Sequence, residues 1–518
     1  MSEAMALTAR KALGAFYTPN DAAHYMASWA VRASDEVLLE PSVGDGVFAK
    51  AAVEVATANG WTRPQFVACE INPEAAHDVI ARGVVSATEV HVGDFLRAPL
   101  RPVDAVIGNP PYVRLRALPG DQSAAALGAF SADTGLRMEP SGSVWMPFVA
   151  RAAKFLRTGG RLALVLPWDF TYVRYARPLW SHLARVFGSL RVVRVRERLF
   201  PDLSQDVLLL FADRKGASTE RIIFQTFETV PELIEGRHAT QSNIAIERVV
   251  GGDRMFQEAL LPAGVADVLR VAEPLTVPTS ELVTFNIGYV AGNKAFFHPD
   301  AAHALPGSSL VPAITDARSL KKGGLRTSGL ANSTATNLWL PQDELDEAEE
   351  AYVRHGESLG VHRGYKTRNR DPWYVVPYVK VPDLVLSVFA SKPVLMVNDG
   401  EYVATNSLLC GYLKQGSAEK YAAAWYSSLT LLNAELEVHS LGGGVLVLVP
   451  KEAGRVRVLR PELVDERALV EVEAFLREGN VESAYEAGDA ALRHVLGAEA
   501  VDLLRAGIGA LESWRVKG

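Results

Sequence analysis

Apolar residues in the first part of the chain fall into short unbroken runs, each ending on a polar or turn residue. Val37-Leu38-Leu39 ends at Glu40, and Phe66-Val67-Ala68-Cys69 ends at Glu70. Ala105-Val106-Ile107 passes through Gly108 to Asn109, and Leu162–Leu166 stops at Pro167-Trp168. Such runs, bounded by turn signals, predict buried strands. A shorter strand, Glu89–Val92, leads to Gly93-Asp94-Phe95, and another spans Val207–Phe211. Helical spacing covers Asp21–Val31, the alanine-rich stretch Ala49–Ala58 and Phe148–Leu156, the last closed by Gly159-Gly160. Strands alternating with helices predict an α/β fold with a mostly parallel sheet.

In open α/β sheets, ligands bind beyond the carboxyl ends of the strands, so the residues that stop the runs carry the first chemical hints. Glu40-Pro41-Ser42-Val43-Gly44-Asp45-Gly46-Val47-Phe48 is a glycine turn between strand and helix, and with Ala49 it fits the looser dinucleotide fingerprint GxGxxG/A. Glu70, at the next strand end, is placed to accept from ribose hydroxyls. Asp94 can accept from an adenine amino group while Phe95 packs on the ring. Asn109-Pro110-Pro111-Tyr112 ends the fourth run, where the prolines terminate the ladder and stiffen the turn. An amide oxygen on Asn109 and the carbonyl of Pro110 can both accept from one NH2 group, and the Tyr112 ring can hold a flat heterocycle. The pattern is suited to gripping an exocyclic amine on a planar base.

Composition narrows the setting without changing that picture. The chain has 518 residues, 48% hydrophobic and 22% charged, enough for two or three domains with large cores. Its net charge of -7 excludes a uniformly basic surface but not a local basic groove. Cys69 and Cys410 give neither a disulfide framework nor a zinc spacing, and no metal is expected. With no signal peptide and no apolar stretch of transmembrane length, a cytoplasmic protein without a membrane partner is expected.

Five blocks stand in a set order: Gly14-Ala15-Phe16-Tyr17-Thr18-Pro19, Glu40–Phe48, Glu70, Gly93-Asp94-Phe95 and Asn109–Tyr112. In kind and order they resemble the S-adenosylmethionine-dependent DNA adenine-N6 methyltransferases of the gamma class. That resemblance implies a Rossmann-like methyltransferase domain over residues 1–245, an α+β target-recognition domain over 246–450 and a helical carboxyl-terminal segment over 451–518. It implies S-adenosylmethionine as cofactor, held by Thr18, Glu40, Gly44, Gly46, Glu70, Asp94 and Phe95. It implies catalysis at Asn109 and Pro110, with the flipped adenine between Tyr112 and Phe200 of Leu199-Phe200-Pro201. Double-stranded DNA is the implied partner, and a cognate restriction endonuclease acting separately is left open.

The rest of the chain is less specific. Arg191, Arg194, Arg196 and Arg198 alternate with mostly apolar residues and either face phosphate or form a solvated strand face. Gly251-Gly252 and Leu261-Pro262 suggest a linker region. Asn286–Phe297 reads as a glycine-hinged strand pair resembling the start of the family's target-recognition domain. Lys321 and Lys322 beside Gly323-Gly324, and Arg363, Lys366, Arg368 and Arg370 among aromatics in residues 362–374, are candidate DNA contacts: cations for phosphates, arginine for guanine edges. A charged surface loop is the alternative for both. The acidic run Asp343–Glu350 reads as a solvated helix face. Two other functions stay open, an RNA-base or protein-glutamine N-methyltransferase and a DNA-binding specificity subunit with an idle methylation fold.

Overall fold

The computed structural model describes residues 18–200, 206–300, 303, 305–320, 323–330, 336–342, 344–441 and 444–516. The chain divides into two units, residues 1–259 and 260–516, each with its own core.

The first unit is built on a nine-stranded sheet of order β3-β2-β1-β4-β5-β7-β6-β8-β9. Its strands are β1 (Val37–Glu40), β2 (Gln65–Glu70), β3 (Val90–Val92), β4 (Val103–Gly108), β5 (Leu156–Pro167), β6 (Phe187–Val195), β7 (Val207–Lys215), β8 (Arg221–Phe227) and β9 (Thr240–Ala245). β1 to β5 are mutually parallel, β7 runs against β5 and β6, and β9 runs against β8. The expected α/β class with a mostly parallel sheet is therefore present. β1 and β4 are buried almost throughout, as unbroken apolar runs require when helices cover both faces.

The helices α1 (Asn20–Ala30) and α2 (Val47–Ala58) cover one face through Ala22, Ala23, Met26, Ala27, Phe48, Ala52 and Val55. α3 (Pro73–Ala81) starts with Asn72 as its cap, accepting from the Glu74 N–H, and with proline in its first turn. The chain order places β1 between β2 and β4. Connections after β1 run one way across the sheet and those after β4 the other, so the carboxyl ends of β1 and β4 flank the switch point.

The division falls later than the expected boundary at residue 245. Phe256 is fully buried in the first unit, edge-on to Trp168 and Phe224. Of the alternating arginines, Arg194 is buried and Arg191 partly buried, whereas Arg196, just past β6, is exposed as a solvated face would have it. Arg194 is 4% exposed, lies 3.9 Å from the Trp168 ring centroid and pairs with Asp206 at 3.1 Å. Arg191 lies over Phe211, and Arg196 pairs with Glu228.

In the second unit an antiparallel sheet joins Val283–Ile287, Leu408–Leu413, Leu384–Ser387 and Leu395–Val397 in that order. Lys294–Phe297 is a helical turn rather than the second strand of a pair, because Asn293 caps it by accepting from the Phe296 N–H. The acidic run is only partly solvated. In the helix Glu347–Ser358, Asp346 and Glu349 form a capping box, and buried Glu349 accepts from Trp339 Nε1 at 3.2 Å. Residues 451–516 do carry helices, ending with Ala498–Arg515, but they share the second unit's main core. Arg457–Leu459 pairs with Thr276–Pro278, and buried Arg515 binds Glu435 at 2.6 Å.

Candidate active site

Four of the five parallel strands deliver one polar group to the same edge of the sheet: Glu40 on β1, Glu70 on β2, Asp94 after β3 and Asn109 after β4. The loops that follow are stitched together. Ser42 Oγ donates to the Asn109 backbone carbonyl at 2.9 Å. The Gly44 N–H donates to Glu70 Oε2 at 2.9 Å, the Asn72 N–H donates to Oε1 at 2.8 Å, and the Gly93 N–H donates to the Glu70 carbonyl at 2.8 Å. A carboxylate has about four acceptor positions, so Glu70 can still take hydroxyl donors while it shapes the glycine turn.

Gly44 and Gly46 both have left-handed backbones, with φ of 52° and 77°. A Cβ on Gly46 would lie 2.6 Å from Val79 Cγ2, so only glycine lets α2 begin that close to α3. A Cβ on Gly44 would meet nothing within 4 Å, so its backbone borders open space.

Glu40 is 0% exposed, and neither of its carboxylate oxygens has a hydrogen-bond partner of normal geometry. Burial first, then the Asp45 carboxylate, push its pKa well above the usual range; the nearby Ala49 N–H acts in the opposite sense and Glu70 adds to the rise. A buried acid without a donor is costly unless something else meets it. A cationic ligand seated on the glycine turn is the simplest complement, and the site in this respect fits S-adenosylmethionine, whose methionine part carries an ammonium group.

Asn109 is half-buried and Pro110 buried. Asn109 Nδ2 approaches Thr18 Oγ1 at 3.4 Å, which turns the side-chain oxygen the other way. The Tyr112 ring is partly exposed, but its hydroxyl is buried, and burial raises its pKa well above the usual value. Phe200, 5% exposed, belongs to the same hydrophobic cluster against which Tyr112 packs, so the two expected walls share one face of the sheet.

Asp94 accepts from the Leu96 N–H at 2.9 Å and lies 3.7 Å from Arg97 Nε. Phe95 is 2% exposed and packs on Phe148 with ring centroids 4.8 Å apart, so its ring is part of the core. Residues Gly14 to Tyr17 of the first block lie outside the described residues, as do Lys321 and Lys322. Arg363, Lys366 and Arg368 are exposed in the second unit. Arg370 is not: its guanidinium donates to the carbonyls of Ala291 at 3.0 Å and Val290 at 2.5 Å and lies over Phe297.

Sequence reading missed the groups that fix the motif in place. The Val144 N–H and Ser143 Oγ donate to the Val113 carbonyl at 2.9 and 2.8 Å. Arg114 donates to Tyr175 Oη at 2.5 Å and to Asp169 at 3.4 Å, and Tyr172 donates to Asp169 at 2.8 Å. These partners are distant in sequence, and only Arg114, two residues past Tyr112, carried any local signal. Among the described residues no group of three or more His, Cys, Asp or Glu is placed to hold a metal, and no helix is long and apolar enough to cross a membrane.

Two family models match the chain. That of the Type II methyltransferase M.Eco57I, C-terminal domain, covers residues 255–493, and that of the Eco57I restriction-modification methylase covers residues 101–193, which include Asn109–Tyr112. The Type II methyltransferase M.XamI of Xanthomonas campestris pv. amaranthicola is 25% identical over 470 residues, 86% of this chain and 85% of that protein. M.AccI of Acinetobacter calcoaceticus is 20% identical over 415 residues, 75% of this chain and 73% of that one. Among solved structures, the Type IIL restriction-modification enzyme MmeI in complex with DNA aligns with a TM-score of 0.54 at 11% identity, over 91% of this chain and 70% of its own. The DrdV–DNA complex aligns at 0.52 and 12%, over 90% and 58%. At such identities these two structures speak for the fold alone.

Proposed function

The chain belongs to the restriction-modification DNA methyltransferases, and from that premise we propose that it methylates N6 of a flipped adenine in duplex DNA, with S-adenosylmethionine as donor. The observation that carries the reading is Asn109, held at the end of β4 with its backbone tied to Ser42 and its amide nitrogen turned to Thr18.

In this reading the first unit binds the cofactor and does the chemistry, and the second reads the DNA. Thr18, Glu40 and the Gly44–Gly46 turn hold the methionine part, Glu70 the ribose and Asp94 the adenine. Phe95 supports that wall from the core. When bound, the cofactor supplies an electrophilic sulfonium methyl group. The protein's own part is positioning. The Asn109 side-chain oxygen and the Pro110 carbonyl accept from the target NH2, drawing its lone pair out of conjugation with the ring and fixing its direction. Tyr112 and Phe200 sandwich the base, at about 1–3 kcal/mol per stacked base. No cysteine nucleophile is used, in keeping with Cys69 and Cys410 both being buried. Such a reaction takes place with the chromosome, in the cytoplasm.

The test is transfer of labelled methyl groups to duplex DNA, followed by sequencing that distinguishes modified bases. N6-methyladenine at one sequence is the expected product. Transfer to RNA or protein only, or a different modified base, overturns the reading.

A further inference from the structure

The loop after the helix Glu347–Ser358 gathers exposed cations. Among the described residues no ion pair involves Arg363, Lys366 or Arg368. Between them stands Tyr365, 70% exposed, with Lys366 Nζ 5.6 Å and the Arg368 guanidinium 5.4 Å from its ring centroid. Water solvates the three cations but not the exposed ring between them, and the combination suits a polyanion with flat surfaces.

The loop is also stiff. Thr367 is 1% exposed, and its hydroxyl donates to the Val361 carbonyl at 2.5 Å and lies 3.1 Å from that of Gly364. Short helical turns at Val361–Arg363 and Thr367–Asn369 flank the tip, and Asn369 Nδ2 donates to the Tyr365 carbonyl at 2.7 Å. Arg370 ties the base of the loop to the Val290 and Ala291 carbonyls, while Trp373 packs on Phe296. The ordering entropy of the tip is thus largely met within the folded protein, as an efficient recognition element requires.

We propose that Tyr365 is the side chain with which the second unit stacks on duplex DNA, with Arg363, Lys366 and Arg368 on the phosphates around it. Arg370 is the brace that holds this tip and makes no DNA contact. The inference rests on the DNA-methylation reading above and assigns the contacts within it. Stacking on a base step or an orphaned base uses the ring and not the hydroxyl, and it is insensitive to salt. Phosphate contacts are the reverse: each adds about 0.9 to the slope of log affinity against log salt.

The experiment uses the full chain and a duplex containing the sequence at which methylation has been located. Affinity is measured by fluorescence anisotropy at several salt concentrations, and base unstacking by 2-aminopurine placed along the site. Tyr365→Ala should weaken binding about tenfold with an unchanged salt slope and remove a 2-aminopurine signal present with the wild type, whereas Tyr365→Phe should keep both. Lys366→Ala and Arg368→Ala should each lower the slope by about one. Arg370→Gln should lower the melting temperature and leave the slope unchanged. Circular dichroism and limited proteolysis check that the second unit of every variant is folded at the temperature of the binding assay. If Tyr365→Ala matches wild type in affinity and 2-aminopurine signal, or instead lowers the slope as the cation variants do, the inference falls while the reaction stands. If the wild type neither binds nor methylates duplex DNA, the reading beneath it falls.

Discussion

The sheet edge of the first unit and the basic loop of the second hold their charges in opposite ways. At the edge, acids are drawn inward: Glu40 is fully buried without a donor, and both oxygens of Glu70 already accept backbone N–H groups. At the loop, cations are pushed outward and left uncompensated, while the neighbouring Arg370 is consumed by carbonyl groups. A folded chain normally satisfies its buried polar groups and leaves exposed charges to water. The buried acid departs from that rule and suits a small cationic ligand, while the exposed cations follow it and, grouped around an exposed ring, suit a large anion lying against them.

Variants can break this contrast. The largest effect is expected from Asn109→Ala, a fall in turnover on the order of a hundred- to a thousandfold with cofactor affinity retained, read by single-turnover kinetics beside calorimetry. A matching loss of cofactor affinity would mean that the edge had collapsed rather than lost an acceptor. Arg194→Met should cost about 2–3 kcal/mol in urea unfolding, since it strips a stacked cation from Trp168 and a partner from Asp206, yet leave the salt slope of DNA binding unchanged. A shallower slope would move β6 into the DNA-contacting class.

Glu70→Ala should weaken S-adenosylmethionine binding about tenfold and loosen the glycine turn by removing the acceptor for Gly44 and Asn72, with DNA affinity little changed. Calorimetry with the cofactor and anisotropy with DNA separate the two.

The last variant, Glu40→Gln, is read through pH. The folded protein keeps a proton on Glu40 that the unfolded chain releases near the ordinary value of 4.5, so wild-type stability falls as pH rises above that point towards the raised folded value. The variant escapes this loss. Its melting temperature without cofactor should exceed that of wild type at neutral pH, the gap growing by at most about 1.4 kcal/mol per pH unit and vanishing below pH 4. Its cofactor affinity should fall. Equal pH profiles would show that Glu40 is ionised in the folded protein.

Much of the first unit's fold was legible because its candidate residues sit at the ends of parallel strands. A strand covered on both faces must be apolar throughout, so the first polar residue after each run marks the sheet edge and Glu40, Glu70 and Asn109 emerge at once, while Asp94, after the partly exposed β3, is marked by its place in Gly93-Asp94-Phe95. The β6 arginines were not legible. The spacing of Arg191 and Arg194 is that of a solvated face, but Phe211, Trp168 and Asp206 come from other segments, and only the sheet order brings them together. Arg370 was obscured for the same reason, since its partners Val290 and Ala291 are contributed through backbone carbonyls, which have no sequence signature. Phe95 was read as a ligand wall because its motif position outweighed its hydrophobicity, whereas in the structure Phe148 covers its ring. Helical spacing over residues 451–518 was visible, but not the burial of Arg515 on Glu435 that joins that segment to the second core.

The pairing of Thr276–Pro278 with Arg457–Leu459 has a practical corollary for recombination between relatives. It ties the opening of the second unit to a strand near its far end, and the helix Ala498–Arg515 closes over the same core. A chimera that exchanges the second unit intact is therefore cut near residue 259 and carries everything through residue 516 as one cassette. A junction at residue 450 would divide one hydrophobic core between two parents and leave Glu435 buried without its arginine.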